Sequence, residues 1–228
     1  MRRIQLLFAL LATMTVVHGQ RDTVRKYLDA GLHFTNKRNM VFAALAIRTG
    51  DHWLLLAVYP DTSMLARIYF KNEGLTIKDG PYTIYSQGNK IQDGNFIDNI
   101  AEGNWQSWHV NGLPQDSGQV KHNYFIGQWK HWHKNGQLKV LNKYSGAAPK
   151  STEAIPDESK GGLISDIHID GVLNGPWQSW YANGVLESSG VYSNDSMSGT
   201  WKWFREDGTP SSVETYANGK ITQLECYD

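Results

Sequence analysis

Three histidines lie close together in the chain, His109, His131 and His133, and histidine is the side chain best suited to bind a metal or move a proton near neutral pH. His131 and His133 fall on one face of an alternating strand. His109 occupies in its own segment the place that His133 has in the next. If those segments are successive hairpins, their equivalent strands stand two strand spacings apart, roughly 10 Å. Joint coordination needs bonds of about 2 Å, so these residues read as solvated surface histidines. The run Asp166-Ile167-His168-Ile169-Asp170-Gly171 has the look of a calcium loop. It lacks the downstream bidentate Glu and alternates like a strand. Cys226 is the only cysteine, which rules out thiolate zinc sites and any internal disulfide. It reads as a residue packed on the last strand, with an intermolecular bridge as the alternative. No Gly-x-Ser-x-Gly, His-Glu-x-x-His, phosphate-cradling glycine loop or dinucleotide fingerprint is present. No catalytic residue, no metal and no cofactor is therefore expected, and the chain reads as a non-enzyme.

What remains as chemistry is aromatic. Rings repeated on one face can stack on sugars or bases, or cradle quaternary ammonium groups; equally, they can be hairpin core. They recur in a fixed frame. Gly103-Asn104-Trp105-Gln106-Ser107-Trp108-His109-Val110-Asn111-Gly112 aligns with Gly127-Gln128-Trp129-Lys130-His131-Trp132-His133-Lys134-Asn135-Gly136. Gly175-Pro176-Trp177-Gln178-Ser179-Trp180-Tyr181-Ala182-Asn183-Gly184 and Gly199-Thr200-Trp201-Lys202-Trp203-Phe204-Arg205-Glu206-Asp207-Gly208 follow the same pattern. An earlier copy from Gly80 keeps Tyr82 and Tyr85 and is one residue shorter. Candidate binding residues are thus two columns: Tyr82, Trp105, Trp129, Trp177 and Trp201, then Tyr85, Trp108, Trp132, Trp180 and Phe204.

The elements that position these rings follow from the period. Leading glycines are separated by 23 residues (Gly80 to Gly103), 24 (Gly103 to Gly127), 48 (Gly127 to Gly175) and 24 (Gly175 to Gly199). The doubled interval leaves residues 146–171 as a degenerate copy or as a loop; Pro149, Pro156 and Asp157-Glu158-Ser159-Lys160 favour the loop, and Ile164, Ile167 and Ile169 favour a strand. Asn-Gly and Asp-Gly predict two-residue hairpin turns with both central residues at positive φ. Each copy is then an up-strand, a tight turn and a return strand. Return strands repeat a glycine at Gly118 and Gly190, which lets the strand bend or a neighbouring ring lie across the backbone. They also repeat a large residue at Val120, Tyr144, Tyr192 and Tyr216. Rings three residues apart on an ideal strand face opposite ways, so either the strand bulges or both faces are partly covered. Stacked copies predict an all-β, elongated array of antiparallel β-hairpins with local contacts.

Ahead of the array, residues 20–76 read as a divergent cap. Arg21 to Asn39 is polar, with one turn at Asn36-Lys37-Arg38-Asn39. Met40 to Arg48 reads as a buried strand or a short helix, with the strand favoured because Trp53 to Tyr59 follows as one; Pro60-Asp61-Thr62 then turns the chain into Met64 to Phe70, and the array occupies 77–228. Arg2, Arg3, the apolar stretch from Ile4 to Val17, and Val17-His18-Gly19 read as a signal peptide over 1–19. The apolar run is too short to span a bilayer, and export to the periplasm or beyond is expected. The 22 basic and 22 acidic residues balance, so no nucleic-acid surface is built in.

The repeat Gly-x-Trp-x-x-Trp/Tyr-x-x-Asn-Gly-x-Leu, together with the leader Tyr27-Leu28-Asp29 and Thr35-Asn36-Lys37-Arg38-Asn39, resembles the MORN repeat variants of bacteria, including those labelled antitoxin components of the YwqK type. The resemblance covers most of the chain after residue 19 and implies a repeat fold, with no catalytic or ligand residues. A looser similarity is to choline-binding wall-anchoring repeats, which have a shorter period and adjacent aromatics. Together these imply an interaction scaffold for an unidentified protein partner, antitoxin-like in type, or alternatively a module that uses its aromatics on cell-wall glycan.

Overall fold

In the computed structural model, residues 22–146 and 169–228 are described. The signal segment and nearly all of 146–171, including Asp166-Ile167-His168, lie outside them. Among the described residues the chain is all-β, with fifteen strands and no helix. Two compact units divide between Ala101 and Glu102.

The first unit holds β1 (Thr23–Leu28), β2 (Phe42–Thr49), β3 (His52–Val58), β4 (Met64–Phe70), β5 (Lys78–Ser86) and β6 (Asn89–Ile97). Each pairs antiparallel with the next. The three apolar strands expected between Met40 and Phe70 are β2, β3 and β4. β1 is an addition that the polar leader did not announce: Tyr27 and Leu28 pair with Ala43 and Phe42, and Leu28 is wholly buried. A six-residue strand with one buried anchor leaves little apolar periodicity to read. The expected turn at Asn36 is present, with Asn39 N–H donating to the Asn36 carbonyl at 3.2 Å. β2 is buried at five consecutive positions, Ala43 to Ile47, so both of its faces are covered. The copy at Gly80 belongs to this unit: Tyr82 and Ile84 pair with Ile68 and Ala66, and all four are buried.

The second unit holds the remaining copies, in β7 (Ile100–Trp108, from Glu102 onward), β8 (Pro114–Lys121), β9 (Tyr124–Trp132), β10 (Leu138–Ser145), β11 (Gly175–Trp180), β12 (Leu186–Ser193), β13 (Ser196–Phe204), β14 (Pro210–Ala217) and β15 (Lys220–Cys226). Neighbours in sequence pair antiparallel throughout. β10 pairs directly with β11, Val140 against Ser179. In the sheet, therefore, the copy at Gly127 is followed immediately by the copy at Gly175. Cys226 is exposed on β15 rather than packed, because every residue of that strand is exposed.

The Asn-Gly turns differ from expectation. In the Gly103 copy, Gly112 N–H donates to the His109 carbonyl at 2.8 Å and His109 N–H to the Leu113 carbonyl at 2.9 Å. Gly112 has φ +83°, whereas Asn111 is not among the residues of positive φ. This is a three-residue loop, a type I turn closed by a left-handed glycine. It recurs at Gly136, Gly184 and Gly208. Two-residue turns with both residues at positive φ lie at the other end of the hairpins, at His122-Asn123 and Asn194-Asp195. They also close the Gly80 copy at Gln87-Gly88, which is why that copy is one residue short.

Candidate functional site

The two aromatic columns part company in the structure. In the first, Tyr82, Trp105, Trp129 and Trp201 are buried, at 0–5% exposure. In the second, Tyr85, Trp108, Trp132, Trp180 and Phe204 are all half-buried. Up-strands are regular between the two positions, with Trp105, Gln106 and Ser107 facing Gly118, Ser117 and Asp116 in turn. The register slips only before Trp108, which faces Pro114. The bulge therefore sits on the return strand, and the two columns point to opposite faces.

The first column is seated by the return-strand glycines. Opposite Gly118, the leading Gly127 (φ +64°) adds two residues to β9, since Ser117 and Gln119 face Lys130 and Ile126. The bulge lets the Trp129 ring lie flat on Gly118, where a Cβ would stand 2.2 Å from the ring. Trp129 Nε1–H then donates to the Gln119 carbonyl at 3.0 Å. Trp201 repeats this on Gly190, also with 2.2 Å to a Cβ, and donates to the Val191 carbonyl at 3.2 Å. A ring buries roughly 150–250 Å², so this column supplies most of the apolar stabilisation in a unit with little other core.

The histidines are tied down in the same ladder. His109 Nε2–H donates to the Trp132 carbonyl at 3.0 Å, and His133 Nε2–H to the Trp180 carbonyl at 2.7 Å. Tyr181 does the same to the Phe204 carbonyl at 2.9 Å, and Arg205 to the Tyr227 carbonyl. The three histidines are not brought to one point. They are half-buried staples between copies or, in His131, part of a different pair, rather than solvated surface groups. His131 Nδ1 lies 2.6 Å from Asp116 Oδ1, and Ser107 Oγ–H donates to Asp116 Oδ2 at 2.6 Å. Burial works to raise the Asp116 pKa, but the hydrogen bonds from His131 and Ser107 outweigh it and hold the carboxyl below its ordinary value.

Trp177 breaks the column. Fifteen residues after Gly127, where the seat should be, stands Asn142. The Trp177 ring cannot lie on it. Its Nε1–H turns instead to Ser188 Oγ of its own hairpin at 3.2 Å, and the ring is only half-buried. A groove of about 430 Å³ opens there, lined by the pair Asp116–His131, the rings of Trp132, Tyr144 and Trp177, and Lys139. Asn142 is 4% exposed. Its Nδ2 reaches Tyr144 Oη at 3.4 Å, and its Oδ1 has no partner among the described residues. Burial raises the Tyr144 pKa, keeping its hydroxyl a neutral donor. Sequence reasoning did not single out Asn142, Lys139 or Asp116. The available signal was the spacing itself, which puts Asn142 where Gly118 and Gly190 stand.

The family model described as the MORN repeat variant matches residues 126–145 and 173–194. These are the two copies that flank the groove. Among curated proteins none matches the chain.

Proposed function

We propose that the chain is a non-enzymatic binding protein, exported from the cell, that offers its second aromatic column to a protein partner. The observation that supports this best is the split between columns. One is consumed by the fold, while the other leaves Trp108, Trp132, Trp180 and Phe204 half-buried on the opposite face. Across the strand these face Pro114, Leu138, Leu186 and Pro210. Successive rings stand two strand spacings apart, roughly 10 Å, so four of them make a stripe of about 30 Å. Rings of this kind anchor protein interfaces. The non-enzymatic part of the reading rests on how polar groups are used: the Nε2–H groups of His109 and His133 are committed to carbonyls. An antitoxin-like role is the special case in which the partner is a toxin; the matching family description names the repeat alone.

Export rests on the first nineteen residues, and the released protein is expected to begin at Gln20; recovery only with an intact Met1 would contradict it. For the partner, a photo-crosslinking residue is placed at Trp132 or Trp180, and as a control at exposed Lys121 on β8. Discrete adducts from the first two positions and none from the third are expected. Adducts equally frequent at all three would overturn the stripe as the contact surface.

A further inference from the structure

From the geometry we infer that the groove beside Trp177 is a binding site for a neutral saccharide ring. It does not depend on the protein-partner reading. Three observations carry it. First, the fold has two examples of the alternative: Trp129 and Trp201 lie flat on glycine with their N–H groups bonded to backbone. Trp177 is kept off its seat by Asn142 and leaves ring surface open to the groove. Second, Asn142 Oδ1 is a buried acceptor without a donor among the described residues. A buried acceptor left unmatched keeps its desolvation penalty, and a ligand hydroxyl would satisfy it. Third, the polar groups around the ring are mixed and balanced. Asp116 accepts, Lys139 donates, Tyr144 does either, and one carboxylate and one ammonium cancel.

A pyranose suits this set. Its C–H face packs on an indole as an apolar surface, while its edge hydroxyls both donate and accept. A phosphate or carboxylate ligand would meet the Asp116 carboxylate, and a purely apolar one would leave Asn142 unsatisfied. The volume is in the range of small-molecule sites, roughly 300–1,000 Å³, with room for a short oligomer.

The test is a titration of the full chain, followed by tryptophan emission, with three soluble neutral probes: an N-acetylglucosamine tetramer, cellotetraose and maltotetraose. Saturable binding of at least one is expected. Asn142→Gly restores the seat, so Trp177 should settle onto it and close the groove. Binding should then weaken roughly tenfold or more while the unfolding midpoint is kept or raised. Trp177→Leu should lose binding as well, but without that gain in stability. Binding to the soluble probes with co-sedimentation on insoluble peptidoglycan identifies a wall polymer, and without it a free saccharide. Failure of all three probes to bind, or undiminished binding by Asn142→Gly, would overturn the proposal.

Discussion

Gly118 and Gly190 show how one missing Cβ organises a repeat. Neither has a positive φ, so an alanine there is strained only by the ring it would strike. Gly190→Ala should cost roughly 1–3 kcal/mol, the range for overpacking, and should shift tryptophan emission to the red as Trp201 leaves its seat. Gly199 is the opposite case, with φ +66° and nothing within 4 Å of a Cβ. Gly199→Ala should cost roughly 1–2 kcal/mol through the backbone alone, with little change in emission. Chemical denaturation followed by fluorescence separates the two. A spectral shift from Gly199→Ala equal to that from Gly190→Ala would contradict the distinction. A ring lying across the return-strand glycine was legible from spacing, as one of two readings beside a bend in the strand. The exception at Asn142 was legible as well, but only once the seat was known to matter. Asp116 carries a second test. Its pKa is lowered in the fold, so its contribution is present above the ordinary carboxylate value and is lost as pH falls through the lowered one. Wild type should therefore lose stability below about pH 4 more steeply than Asp116→Asn. Parallel curves would contradict the Asp116–His131 pair.

The asparagine of each three-residue turn does two things at the level of the hairpin. Its Oδ1 accepts from the backbone two residues on, at 3.1 Å from Leu113 N–H and Gln137 N–H and 2.9 Å from Val185 N–H. Its Nδ2 donates to the next copy, Asn111 to Lys134 and Asn135 to Ala182 at 2.7 Å, and Asn183 to Glu206 at 2.9 Å. Asp207 has only the first role, accepting from Thr209 N–H at 2.9 Å, since an ionised carboxylate has no donor. Asn135→Asp should keep the turn yet set an oxygen against the Ala182 carbonyl, with a loss of roughly 1–2 kcal/mol. Asp207→Asn should be neutral within about 0.5 kcal/mol. Equal effects at the two sites would show that the inter-copy bond contributes nothing. The sequence pattern located these hairpins and gave the wrong turn, for a physical reason. Asn-Gly satisfies both a two-residue loop and a type I turn with a left-handed glycine. Only the pairing of His109 with Leu113 counts the residues between.

At the scale of the whole molecule, the ladder is periodic, and the columns within it are not equivalent. The all-β hairpin array was legible because a 24-residue frame with paired aromatics admits few other folds. The division between its two columns was not, because strand alternation gives opposite faces without saying which one is covered. That division sorts the tryptophans by role: the seated first-column rings hold the fold and the second-column ones are left to meet something else. It is tested most directly by brief oxidation of the native protein with N-bromosuccinimide, with each tryptophan followed by peptide mass spectrometry. Trp108, Trp132 and Trp180 should oxidise early, joined by Trp177 at the groove, while Trp105, Trp129 and Trp201 stay protected until the chain unfolds. Uniform rates across all seven, or early loss of Trp129 or Trp201, would contradict it.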